Sequence, residues 1–167
     1  WKAARFGYDG FGVKTLDSAT EIQALPDSEC IIENLVSIAK EISVIVARNP
    51  SGEIALYSPV GMAFHPTANQ VEFVYHPAEL DEKIAAQTQE IAEKLVRSWE
   101  HVGLLAVEFF VDEHETLWIN EVAPRPHNSG HLTIEGCVTS QFEQHLRAIL
   151  NMPLGKTDFY RPAIMAN

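Results

Sequence analysis

The sequence predicts an α+β fold, and three observations carry that prediction. Short apolar runs bounded by turn residues recur along the chain. Two longer segments repeat apolar residues at helical spacing. The strand-like runs mostly follow one another through turns instead of alternating with helices, which favours hairpins over βαβ units. With 167 residues and 46% apolar content, the chain suffices for a well-buried core of ordinary size.

Taken in order, "WKAARFGYDG" opens as though in mid-strand and without Met, so a piece of a longer polypeptide is expected. Ser18 and Glu21 have the spacing of a capping box for a short helix that Pro26 stops. "CIIENLV" (30–36) reads as a buried strand. "EISVIVARN" (41–49) and "EIALYSPV" (53–60) flank Pro50-Ser51-Gly52, a hairpin signal. "QVEFVYHP" (70–77) is a further strand, closed by its proline. Leu80, Ile84, Ile91, Leu95, Trp99 and Val102 recur at helical spacing over about 79–101. "LLAVEFFVD" (104–112) and "TLWINEVA" (116–123) are two strands around Glu113-His114-Glu115. A last helix is expected from about Ser140 to Asn151, with Phe142, Leu146 and Ile149 on one face.

The formal charge of −11 disfavours a nucleic-acid or anionic-membrane partner, so positive contacts to an anionic ligand must be local. No run of about 18 apolar residues suggests a transmembrane helix, and no signal peptide is read at the start. Cys30 and Cys137 are far apart and unclustered, which argues against a zinc site or disulfide framework and for a reducing cytoplasm.

Candidate chemistry lies in three places. Pairing the 104–112 and 116–123 strands with Asp112 opposite Leu117 sets Glu108 against Glu121 on one face. Opposed carboxylates destabilise a sheet by up to about 1 kcal/mol, but they are well placed to share a hard divalent cation. A one-residue slip would separate them. In "GYDGFG" (7–12) three glycines let backbone N–H groups approach an anion, with Lys2 shortly before as a point charge. The same stretch also fits a plain glycine-rich turn. Finally, "INEVAPRPHNSGH" (119–131) is rich in hydrogen-bonding groups, poor in apolar anchors, and stiffened by Pro124 and Pro126.

Together the glycine loop with its lysine, the strand glutamate and "NEVAPRPHNSGHLTIEGCVTSQFEQHLRAI" resemble the ATP-grasp superfamily. Within it, "GYDG" and "APRPHNSGH" are most similar to the family that carboxylates 5-aminoimidazole ribonucleotide with bicarbonate and ATP, via carboxyphosphate, in purine synthesis. The resemblance implies an ATP-grasp core over 1–155 lacking its N-terminal part, and the start of a C-terminal domain over 156–167. It implies ATP and Mg²⁺, with Mn²⁺ as the other acceptable ion, and a cytoplasmic enzyme that is a homodimer at full length. Its partners would be small molecules, without nucleic acid or membrane.

The residue roles follow from the same resemblance. Lys2 and the loop Gly7, Tyr8, Asp9, Gly10, Phe11, Gly12 and Val13 would contact the ATP phosphates. Glu33, Asn34, Leu35 and Val36 would cradle adenine, Glu41 the ribose hydroxyls, and His65 would touch the nucleotide. Glu108 and Glu121 would hold the metal, with Asn120 beside them. Tyr8, Asp9, Arg125, His127 and Asn128 would form the bicarbonate and amine pocket. Read without the family, Glu33 and Glu41 are equally ordinary strand-end charges and His65 a loop histidine. Phe11 stands where the family usually carries a basic residue, and Phe6 where glycine is common. Competing readings are a formate-dependent glycinamide ribonucleotide transformylase and a non-catalytic nucleotide-binding fragment.

Overall fold

The computed structural model describes residues 1–5, 12–65 and 70–167. Strand β1 (Lys2–Ala3) pairs antiparallel with β2 (Cys30–Ile31) in a small two-stranded sheet. A 3-10 turn over Ala19–Ala24 lies between them; Ser18 precedes it as cap residue but makes no side-chain cap bond. The rest of the chain builds a seven-stranded antiparallel sheet. Its strands are β3 (Ile38–Arg48), β4 (Ile54–Leu56), β5 (Val60–Phe64), β6 (Val71–His76), β7 (Gly103–Asp112), β8 (Leu117–Ala123) and β9 (Ala163–Ala166). They run in the order β8-β7-β3-β5-β6-β9, with β4 beside the far end of β3.

The alternation of β3 and β7 sorts their side chains to two faces. Ile42, Val44, Val46, Leu105, Val107, Phe109 and Val111 pack under helix α1 (Glu82–Ser98), which Asp81 caps by accepting from the Lys83 N–H at 2.8 Å. Ile45, Ala47, Leu104 and Ala106 face the other way, against Ala148 and Cys137. On that second side lie the short helices α2 (Thr133–Gly136) and α3 (Gln141–Ile149). Toward one end, the same second face exchanges apolar side chains for Glu41, Ser43 and Glu108. That exchange is where a site can form.

Several elements differ from the sequence expectation. Only Cys30–Ile31 of the 30–36 segment is strand, and it is not buried: Ile31, Ile32 and Leu35 are 51%, 60% and 78% exposed. Its partner β1 is just two residues long, so the apolar run has no sheet to enter. The strand expected over 53–60 is split, with Pro59 between β4 and β5. The inward line of α1 is Ile84, Thr88, Ala92 and Val96, while Trp99 and Val102 face outward beyond its end. In α3 the shared apolar face of Phe142, Leu146 and Ile149 is the exposed one, and Gln141, Gln144 and Ala148 point inward. The two glutamines decide this. Gln144 bonds both the N–H and the carbonyl of Gly155 at 2.8 Å, and Gln141 is engaged in the loop below. A buried amide with all its partners is worth more to the orientation than three half-covered apolar groups.

Candidate functional site

The hairpin β7–β8 pairs Glu108 with Glu121, as expected, but by a different route. Near the turn Val111, not Asp112, faces Leu117; Asp112 instead accepts from the N–H groups of His114 and Thr116 to close the turn. A bulge between Phe109–Ile119 and Glu108–Glu121 then leaves Asn120 without a cross-strand partner and restores the pairing. Bulges of this kind re-aim side chains beside functional sites. Here Asn120 Nδ2 lies 3.5 Å from Glu108 Oε2, so both Asn120 and Glu121 reach the same carboxylate.

Lys2 arrives from the small sheet. Its Nζ donates to Asn120 Oδ1 at 3.0 Å and pairs with Glu33 Oε2 at 2.9 Å, tying β1, the 32–37 connection and the bulge together. Burial first, then the neighbouring Glu121 and Glu41, push the Glu108 carboxyl up to about 7. Burial alone raises Glu41 to about 7. Three acids on one face thus carry more negative charge than Lys2 offsets. That is a donor set suited to a hard divalent cation, whose arrival would release the proton that Glu108 holds. Ligand atoms of Glu108, Glu121 and His127 lie within 4.8 Å of one another.

Beyond β8 the polar loop turns under this cluster. His127 Nε2 is 3.6 Å from Glu108 Oε1. Its Nδ1 meets Ser129 Oγ at 2.9 Å, and Ser129 Oγ meets Ser43 Oγ, on β3 opposite Glu108, at 2.8 Å. Gln141 holds the His127 peptide at both ends, accepting from its N–H at 2.9 Å and donating to its carbonyl at 2.7 Å. Burial, then Arg125 and His131, lower His127 to about 4, so its ring is neutral at ordinary pH. Asn128 opens a 3-10 turn over Asn128–Gly130. Arg125 is exposed, with Nη1 donating to the Pro126 carbonyl at 3.1 Å.

On the nucleotide side of the expected site, Asn34, Leu35 and Val36 line a shallow pocket of about 200 Å³ with Ser37, Asp112 and Trp118. Gly12 has φ of +82° and its carbonyl accepts from Ala3 N–H at 2.8 Å; Val13 bridges Lys2. His65 stands just past β5, across β3 from the hairpin, with its N–H on the Gln70 carbonyl. Gly7, Tyr8, Asp9, Gly10 and Phe11 lie outside the described residues. The structure therefore gathers Lys2, Glu33, Glu108, Asn120, Glu121 and His127. The sequence reading passed over Gln141 and Ser43. A serine inside the apolar run "EISVIVA" was the available signal for Ser43. For Gln141, the signal was a glutamine directly after a helix cap.

Comparison with known proteins shows the family. The ATP-grasp domain model matches residues 1–142. The chain belongs to the ATP-grasp family. It is 41% identical to the N5-carboxyaminoimidazole ribonucleotide synthase of Bacillus subtilis over 170 residues, covering 99% of this chain and 44% of that protein. The crystal structure of N5-carboxyaminoimidazole ribonucleotide synthetase from Thermotoga maritima superposes with a TM-score of 0.85 at 44% identity, over 93% of this chain and 41% of that one. An Aspergillus clavatus N5-carboxyaminoimidazole synthase, solved with ADP and 5-aminoimidazole ribonucleotide, gives a TM-score of 0.81 at 35% identity, over 89% and 39% of the two chains. The chain thus spans less than half the length of these relatives.

Proposed function

We propose that this chain is the ATP-grasp core of an enzyme that joins bicarbonate to 5-aminoimidazole ribonucleotide. The overall reaction would consume ATP and give the N5-carboxylated ribonucleotide, ADP and phosphate. The observation that carries the reading is the convergence of Lys2, Asn120, Glu108, Glu121 and His127 at one bulged hairpin. The relatives' names support the substrate class.

In this reading Lys2 exchanges Glu33 and Asn120 for the ATP phosphates, which the stretch Gly7 to Val13 would also contact. Glu33 to Val36 border the adenine, Glu41 receives the ribose hydroxyls, and His65 meets the nucleotide. Glu108 and Glu121, with Asn120 beside them, would hold Mg²⁺ or Mn²⁺. Bound there, such an ion would supply neutralisation of the phosphate charge. A bicarbonate oxygen attacks the γ-phosphorus, ADP leaves, and carboxyphosphate forms. The ribonucleotide amine then attacks the carboxyl carbon, phosphate departs, and the amine loses a proton. Arg125, His127 and Asn128 would serve this acceptor side, and the resemblance adds Tyr8 and Asp9 to them. Arg125 suits a planar oxyanion because its fork is bidentate. Preplaced donors serve such a short-lived, charged intermediate better than donors that must reorient.

The same proposal takes residues 1–155 as the core and 156–167 as the opening of a following domain, in a cytoplasmic homodimer. Its test is ATP turnover by the full-length protein. Phosphate release should require bicarbonate and rise strongly with 5-aminoimidazole ribonucleotide. Stimulation by formate with glycinamide ribonucleotide instead would move the function to the competing transformylase class.

A further inference from the structure

The donor atoms of Glu108, Glu121 and His127 are close enough together to read as a three-residue cation site. The hydrogen bonds behind His127 argue otherwise. The Ser129 N–H points at His127 Nδ1 from 3.4 Å, and a backbone N–H can only donate. Nδ1 is therefore an acceptor, and the proton of the neutral ring sits on Nε2. Ser129 Oγ, 2.9 Å from Nδ1, donates its own proton there. Its lone pair is then left for the hydroxyl of Ser43 at 2.8 Å, and both serines are at most 1% exposed. With its proton given to His127, Ser129 Oγ can only accept from Ser43, so the chain runs from Ser43 to Ser129 to His127.

Gln141 fixes the peptide as the serines fix the ring. It is fully buried, and its amide reaches His127 N–H at 2.9 Å, His127 carbonyl at 2.7 Å and His131 Nδ1 at 2.7 Å. Gly130 leaves the room: a Cβ there would stand 2.5 Å from Gln141 Oε1. An Nε2 that carries a proton cannot ligate a metal. It can donate to an oxyanion held beside Glu108.

We infer that Ser43, Ser129 and Gln141 are positioning residues that lock His127 as an Nε2–H donor to the reacting oxygens, and that His127 is not a cation ligand. The catalytic half of this inference rests on the proposed carboxylation; the tautomer does not. The test is a two-bond ¹⁵N–¹H correlation of histidine-labelled full-length protein at pH 8. His127 is expected as the Nε2–H tautomer, unchanged by saturating Mg²⁺ or Zn²⁺. Ser129→Ala keeps the long backbone contact but loses the 2.9 Å hydroxyl donor, and should let a minor Nδ1–H form appear. An Nδ1–H ring in the wild type, or an Nε2 signal that moves to the metal-bound range, would overturn the lock. A Ser129→Ala spectrum identical to wild type would overturn the part given to the hydroxyl pair.

In parallel, Gln141→Glu keeps the acceptor but loses the amide donors. It is expected to lower kcat at least about tenfold with KM for ATP within about twofold, as for a group that acts on the transition state alone. Loss of kcat and ATP binding in step would overturn the positioning role. Absence of bicarbonate-dependent turnover in the wild type would remove the carboxylation reading while the tautomer result stood.

Discussion

The two sides of the Glu108–Glu121 hairpin are built on different principles. Behind it, the buried Ser43, Ser129 and Gln141 and the partly buried His127 form one connected set of hydrogen bonds. In front, the 32–37 segment lies open, with Leu35 78% exposed. It is held to the hairpin through Lys2, whose partner Glu33 has a side chain 47% exposed. An ion pair with that much solvent contributes about 0–1 kcal/mol. One side is fixed before any ligand arrives; the other is held by contacts a phosphate can displace. A site arranged this way spends little ordering on the chemistry and lets the nucleotide choose its own fit.

The largest effect should come from the hairpin carboxylates themselves. Glu121→Ala is expected to abolish Mg²⁺-dependent ATP turnover in the full-length protein with the circular dichroism spectrum unchanged. Unchanged activity would remove the metal assignment. Arg125→Lys comes next, since it keeps the charge and loses the fork. Turnover should fall at least about a hundredfold, the range for losing one preorganised donor, while calorimetry finds MgATP affinity little changed. Lys2→Met should do the opposite. Affinity for MgATP should weaken about tenfold, or about 1.4 kcal/mol, with kcat at saturation much less affected. If Arg125→Lys and Lys2→Met gave the same pattern, the division into two sides would be wrong.

How much of this was legible in the sequence follows from how local each cause is. The Glu108–Glu121 opposition came through because a hairpin is a short-range object with a polar turn at its centre. It came through despite a misplaced anchor: the pairing at Leu117 is one residue off, and the bulge at Asn120 absorbs the difference. The inward face of α3 was not legible. Apolar periodicity marks Phe142, Leu146 and Ile149, whereas the deciding contacts of Gln141 reach residues 10 and 14 positions away in the chain. The 30–36 run misled for a related reason, since apolar composition says nothing about whether a sheet is there to receive it. The roles proposed for Glu33 and Glu41 come only through the family resemblance, because a lone charge near a strand end has no pattern of its own.

The smallest effect concerns stability. Glu41 is raised to about 7 from an ordinary 4.5, so its favourable contribution is complete below about pH 4.5 and is lost as pH rises through 7. Above that, the fold carries an ionised, partly buried carboxylate. Glu41→Gln should therefore melt higher than wild type at pH 8 by a few degrees, about 1 kcal/mol after allowing for solvent screening. The gap should close near pH 4.5. A variant less stable at pH 8 would show that the Glu41 charge is compensated in the fold.

The contrast between a preset acceptor side and an open nucleotide side can be read directly by hydrogen exchange on the full-length protein, with and without MgATP. The amides of His127 and Gly130 donate to Gln141 Oε1 and to the His127 carbonyl, so they should be protected before any ligand is added. Residues 32–36 should exchange fast in the free protein and become protected only with MgATP. A 125–131 loop that exchanges freely until ligand binds, or a 32–36 segment protected without it, would contradict the account.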